Sequence, residues 1–336
     1  MRSFVRANWV SAILLPAVLV GCGPLQKVKV EQHLARGDQL LEQSDLDAAL
    51  EEFQQAAALS PQLAVAHSKM GVIYRRKGEY DHAIDSFGTA VRLAPESFFD
   101  TFNLAQLYHF TRRVHDAIQA YLHACDLRPD DFDANLNLGV CYQETGDTAQ
   151  AVDRFQRAIN IDPDRPHAYV NLGVALDQQG KYYAAINAYK NALERDNHQP
   201  QVLVNLAYTY MNQNRFKLAR NTLGQAVQMD DRLPGAHEAM GYCLFRLKDY
   251  DGASDAYRQA LDLDTHLPNA LAGLGSIEML RVLKHAPGAQ RDLALEYWHR
   301  SLELDADQPR IRRLIAKYDR RSDDPTTVLL GDSRSE

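Results

Sequence analysis

Apolar and small residues fall at helical spacing through most of the chain, and the pattern breaks at regular intervals. Between Phe132 and Pro163 it forms two blocks, Leu138-Gly139-Tyr142 and Ala151-Phe155-Ala158. The turn Thr145-Gly146-Asp147 separates the blocks, and Asp162-Pro163 closes the second. Glycine tolerates the left-handed backbone that ends a helix, and proline cannot continue one because it lacks an N–H. The stretch therefore predicts a helix hairpin. The same pattern recurs every 34 residues in both directions. A period of that length governs the fold before any single motif does.

The register is rigid. A small residue stands at Gly37, Gly71, Ala105, Gly139, Gly173, Ala207, Gly241 and Gly275. Alanine follows twelve positions later, from Ala49, Ala83 and Ala117 through Ala253. The bulky residue beyond it is Phe53, Phe87, Tyr121, Phe155, Tyr189, Leu223 or Tyr257, and a second alanine comes three positions on, from Ala56 to Ala260. Pro61, Pro95, Pro129 and Pro163 end the first four units. Small residues let two helices approach closely, and the bulky one fills the space beside them. One hairpin cannot bury its apolar face alone, so neighbours stack.

On these residues the chain resembles the tetratricopeptide repeat (TPR) family over about residues 30–307. The resemblance implies an all-α fold: a right-handed superhelical α-solenoid of eight helix hairpins, starting near residues 30, 64, 98, 132, 166, 200, 234 and 268. Pro166, Pro200 and Pro234 suit the first turn of their helices, where a missing N–H costs nothing. In the eighth repeat nineteen residues separate Gly275 from Ala294 where the register expects twelve. The surplus, about residues 284–290 with Pro287-Gly288, reads as a longer loop. Residues 308–321 form a capping helix with Ile311, Leu314, Ile315 and Tyr318 on one side. Residues 322–336 are polar and are expected to be disordered.

The N-terminus changes the picture. Arg2 and Arg6 precede an apolar run, Trp9–Val20, of twelve residues. That is short for a span of about 20 residues, so residues 1–21 read as a signal peptide. Leu19-Val20-Gly21-Cys22 resembles the bacterial lipobox, which implies cleavage before Cys22 and lipidation of its thiol. Gly23 follows, where an aspartate commonly retains a lipoprotein at the inner membrane. The resemblance thus implies a lipid-anchored protein of the bacterial cell envelope, at the outer membrane and facing the periplasm if two membranes are present. Residues 22–29 form a short linker that keeps the repeats near the membrane.

Charge and motifs remove several function classes. The net charge of −7 comes without any basic stripe, so nucleic acid is not the expected partner. The four cysteines include no C-x-x-C pair, and no protease, hydrolase or phosphate-loop motif occurs. No enzymatic activity, metal or cofactor is expected. His33, His67 and His237 sit four positions before the small residue, where they read as packing residues, and His109, His115 and His123 read as solvated or packing groups rather than as a metal cluster. Cys125 and Cys141 lie on helices expected to touch. They read as buried thiols, with a disulfide as the alternative.

In this family the first helix of each repeat lines the inner wall. Two positions before the small residue stand Asn103, Asn137, Asn171 and Asn205. An amide both donates and accepts, so a stack of four could grip the backbone of an extended peptide. The arrangement is similar to the asparagine ladder of O-linked N-acetylglucosamine transferases, although asparagine is also common there in TPR repeats at large. Phe99, Phe102 and Phe110, with Tyr208, Tyr242 and Phe245, are the candidate apolar anchors. Three positions before the small residue stand Leu34, Ser68, Phe102, Leu136, Val170, Val204, Glu238 and Ala272, so a basic clamp for acidic C-termini is not expected. The expected protein is a monomeric, membrane-anchored scaffold that binds proteins or peptides, assisting an envelope assembly such as a secretion or pilus pore or docking cell-wall enzymes. Two readings stay open beside it: a peptide-binding subunit of a separate glycosyltransferase-like enzyme, and a secreted TPR protein without lipid.

Overall fold

The computed structural model describes residues 23–284 and 289–319, which form α-helices and no strand. The chain divides into two compact units, Met1–Asp162 and Pro163–Glu336. The N-terminal unit contains α1 (Pro24–Glu42), α2 (Leu46–Leu59), α3 (Ala64–Lys77), α4 (Tyr80–Leu93), α5 (Phe98–Phe110), α6 (Val114–Leu127), α7 (Phe132–Glu144) and α8 (Thr148–Ile161). The C-terminal unit contains α9 (Pro166–Gln178), α10 (Tyr182–Arg195), α11 (Pro200–Asn212), α12 (Phe216–Met229), α13 (Pro234–Arg246), α14 (Tyr250–Leu263), α15 (Pro268–Lys284), α16 (Ala289–Leu304) and α17 (Pro309–Tyr318). Within each unit an odd-numbered helix pairs with the even one after it, which packs in turn on the next odd helix.

The small residue earns its place through the aromatic opposite. A Cβ built on Gly139 would lie 2.6 Å from the Phe155 ring, and one on Gly241 would lie 2.6 Å from Tyr257. Both rings are buried, and removing such a ring from water is worth about 1.5–3 kcal/mol. Local chemistry starts and stops the helices. Asp45, Asp147 and Asp249 cap second helices by accepting from the backbone N–H three positions on. Gly146, at φ +83°, ends α7 in the left-handed region, where glycine pays no Cβ penalty. Arg112 and Lys248 hold the corresponding left-handed turn in other repeats.

The structure departs from the sequence reading at two places. The chain from Pro24 to Lys29, expected as linker, is the start of α1. Proline presets the first helical turn, and Gln26 Nε2 donates to Leu59 O at 2.7 Å, fixing that turn on α2. In the eighth repeat the surplus residues extend the helices: α15 has 17 residues and α16 has 16, against 13 and 14 in α13 and α14. Arg281 holds the added turn of α15 by pairing with Glu278 at 2.5 Å and Asp251 at 2.7 Å. Pro287 and Gly288 lie outside the described residues, as do the signal peptide, Cys22 and residues 322–336. The capping helix is α17, ten residues long, with Ile311 and Ile315 buried against Met279, Leu295 and Trp298.

Cys125 and Cys141 share one core cluster with Tyr121 and Leu138, and both are free thiols, as is Cys243. Burial pushes them up to about 11 for Cys125 and about 12 for Cys141 and Cys243. They are core fillers. His67 and His237 each bond a carbonyl six residues back, of Pro61 and Asp231, and His33 pairs with Glu52 at 2.7 Å. His67 and His237 thus fasten their repeats to the turn before, and His33 ties α1 to α2 within the first repeat. Among the described residues no group of three His, Cys, Asp or Glu is placed to hold a metal ion, and no helix is long and apolar enough to cross a membrane.

Candidate functional site

The first helices α11, α13, α15 and α17 line a cavity of about 440 Å³ in the C-terminal unit. Tyr208, Tyr242 and Phe245, three of the anchors expected from sequence, lie together on its wall. Tyr208 and Tyr242 occupy the same register on α11 and α13, and each leaves about 40% of its surface exposed (40% and 41%). The next residue in that register is Ser276, also on the wall, whose short side chain leaves room. Arg246 fixes Tyr242 by donating from Nη1 to its hydroxyl at 2.8 Å, with the guanidinium 4.3 Å over the Phe216 ring. Phe245 meets Tyr250 edge to face at 5.6 Å.

The cavity is hollow because of what the register leaves out. Two positions before the small residue, where α5, α7, α9 and α11 carry asparagine, α13 has Ala239 and α15 has Gly273. Gly273 answers a close approach: a Cβ there would run into the edge of the Tyr257 ring. That ring is clasped between Gly241 and Gly273 and forms part of the lining. Burial pushes the Tyr257 hydroxyl up. Tyr208 is pushed up to about 12 by burial first, then by the charge of Glu238 and by Cys243.

Two kinds of charge border this space. Glu238 lines it from α13, hydrogen-bonded to Asn269 and to the backbone of Ala270, while Oε1 is buried without a partner. Burial raises its carboxyl above the usual range, outweighing those bonds. On the other side, α17 brings Arg310 and Arg313, both exposed. The sequence reading missed them because it treated this helix only as a cap. A signal was present. Ala316 stands 41 residues after Gly275, one period plus the seven surplus residues, so α17 is the first helix of a ninth, unfinished repeat. Arg313 is then three positions before its small residue, in line with Glu238 and Ala272. A basic residue does stand in that inner-wall row.

The asparagines fare differently. Asn103 is 4% exposed; its Nδ2 donates to Phe99 O at 2.7 Å and its Oδ1 accepts from Arg75 Nη1. An amide committed at both ends cannot grip a ligand, so Asn103 leaves the expected ladder. Asn137 hydrogen-bonds the buried hydroxyl of Tyr121 and borders a separate cleft of about 490 Å³ with Phe110 and Arg112. Asn171 and Asn205 are half-buried, and neither lines the cavity of the C-terminal unit. Phe102 stacks on Phe98 at 5.5 Å and meets Tyr121 edge-on at 5.8 Å, so it belongs to the core of the N-terminal unit. Phe99 and Phe110 remain exposed, at 52% and 63%; Phe110 rests against Tyr80 at 4.6 Å.

Comparison with known proteins agrees with this architecture. Models of the tetratricopeptide repeat match residues 37–78 and 64–97, and the model of the cilia and flagella-associated protein 70 C-terminal domain matches residues 99–273. The chain belongs to the tetratricopeptide repeat family. No curated protein sequence matches it significantly. Among solved structures, the C-terminal part of a TPR protein from Cytophaga hutchinsonii is 20% identical, covering 72% of this chain and 99% of that one with a TM-score of 0.60. The anaphase-promoting-complex assembly Cut9–Hcn1 contains a chain 19% identical, covering 85% of this chain and 55% of that one at 0.57. PilF of Pseudomonas aeruginosa is 17% identical, covering 63% and 97% at 0.50. At these identities the likeness is one of fold.

Proposed function

We propose that the chain is a membrane-anchored TPR scaffold that holds protein partners by an extended segment bound to the inner wall of its C-terminal unit. One observation carries the reading: Tyr208, Tyr242 and Phe245 surround a single cavity that Ala239, Gly273 and Ser276 leave unfilled. Partly exposed aromatics around a pocket are the side chains on which protein interfaces concentrate their binding energy. The anchor rests on Leu19-Val20-Gly21-Cys22 in the sequence. Its address is the bacterial envelope, with the outer membrane favoured in a two-membrane cell. Partners there would be components of an envelope assembly, a secretion or pilus pore or a cell-wall enzyme, and the chain itself supplies no chemistry.

The test is crosslinking and capture from membranes with the tagged full-length chain, beside Tyr208→Ala/Tyr242→Ala/Phe245→Ala. A partner held by the native chain and lost by the folded triple variant is the expected result; equal capture by both would remove the cavity from the reading. Separately, Cys22→Ser should abolish palmitate labelling and leave unprocessed precursor. Continued labelling would show that the lipid is not on Cys22.

A further inference from the structure

We propose that the cavity of the C-terminal unit selects an acidic–apolar segment: a partner peptide whose large aliphatic or aromatic side chain fills the hollow while a neighbouring carboxylate meets Arg310 and Arg313. The inference rests on the groove reading above and adds the chemistry of the ligand.

The apolar half follows from the lining, in which Tyr242, Phe245 and Tyr257 face Ala239 and Gly273. The acidic half follows from charge. Arg310 and Arg313 have no carboxylate partner among the described residues; Arg313 Nε donates only to Pro309 O, at 3.2 Å. A guanidinium presents a fixed fork of donors that fits a carboxylate, and beside an apolar cavity it loses less to water than it would on an open surface. The competing choice, a basic ligand, would have to use Glu238. That carboxylate is bonded to Asn269 and Ala270 and keeps one oxygen buried without a partner, and burial disfavours its charged form. Two exposed guanidiniums against one buried carboxylate set the sign.

The chain's own tail carries the same chemistry, since residues 322–331 read S-D-D-P-T-T-V-L-L-G. The experiment must therefore separate a partner from the tail. Fluorescence anisotropy with the full-length chain in detergent would use three labelled peptides: Asp-Asp-Ser-Leu-Leu-Gly, Lys-Lys-Ser-Leu-Leu-Gly and Asp-Asp-Ser-Ala-Ala-Gly. The first should bind at least about tenfold more tightly than either other, and more weakly as salt rises. Arg310→Ala and Arg313→Ala, both at exposed positions, should each weaken it about tenfold. Arg310→Glu/Arg313→Glu should transfer preference to the lysine peptide, an outcome that misfolding cannot produce.

Equal binding of the acidic and basic peptides, indifference to the arginine variants, or no binding of any peptide would overturn the proposal. Binding that appears only after residues 322–336 are removed would make the tail the occupant and overturn the partner assignment. Failure here is distinguishable from failure of the groove reading. If membrane capture is lost in the aromatic triple variant but kept in Arg310→Ala/Arg313→Ala, the groove stands and only its acidic chemistry falls.

Discussion

The inner walls of the two units are built on one register and end in opposite states. In the N-terminal unit the wall is closed along α5: Asp100 accepts from Ser68 Oγ at 2.5 Å and from Ser97 Oγ at 2.7 Å, and Asn103 is used at both ends by Arg75 and Phe99. In the C-terminal unit α13 and α15 hold Ala239 and Gly273 at the register of Asn103, and the space they leave is bordered by aromatics and two arginines without carboxylate partners among the described residues. A repeat fixes where side chains stand, not what they do. Whether a wall is filled or hollow depends on residue type at two positions per repeat.

The comparison can be broken most forcefully at the shared core. Phe155→Ala and Tyr257→Ala each remove a buried ring packed on a glycine and should each cost about 3–5 kcal/mol. Only Tyr257→Ala should also abolish peptide binding, because only that ring lines the cavity. In a chain lacking residues 1–22, Trp298 is the lone tryptophan. Its fluorescence reports the C-terminal unit, whereas circular dichroism reports both. Repeat arrays unfold by neighbour coupling, not necessarily all at once. Phe155→Ala should therefore shift the dichroism transition to lower urea before the Trp298 signal moves. A single coincident transition in that variant would mean that the two units are one cooperative body.

The next effect is smaller and tests the polar wall. Asn103→Ala leaves Arg75 and the Phe99 carbonyl without their partner and should cost about 1–3 kcal/mol. Asn205→Ala, at a half-buried amide whose Oδ1 accepts, among the described residues, only a 3.5 Å bond from Gln201 Nε2, should change stability by no more than about 0.5 kcal/mol. Neither should alter capture of a partner. Equal costs for the two would remove the distinction between a closed amide and an open one.

Much of the fold was legible because each 34-residue period repeats the same physical demand. Gly139 and Phe155 announce a close helix contact wherever they recur, and the prolines at Pro166, Pro200 and Pro234 mark starts that the helices keep. The site was legible in part. Tyr208, Tyr242 and Phe245 could be found as aromatics outside the core positions, but nothing local told them from Phe102, which packs on Tyr121. The asparagine row misled for the same reason: register places Asn103 on the wall, while Arg75, a residue of the preceding repeat, decides that it is occupied. Arg313 was hidden by the surplus residues of the eighth repeat, which shift the count by seven.

The smallest effect, and the most specific to the hollow wall, is the pH dependence contributed by Glu238. An ordinary glutamate titrates near about 4.3; burial raises this one in the folded chain, against the opposing bonds from Asn269 and Ala270. Above the unfolded value and below the folded one, the native state holds a proton that the unfolded chain has released. Stability must then fall as pH rises through that window and level off once both states are ionised. Asp177, also raised by burial, contributes with the same sign. Glu238→Gln removes one of the two contributions. Urea midpoints read from Trp298 across the acidic range should show the native chain losing ground to the variant as pH rises, with the difference constant below about pH 4. Parallel curves would mean that Glu238 ionises as it does in water. The raised carboxyl would then have no support in solution, and Glu238 would be no different from an exposed glutamate at the edge of the cavity.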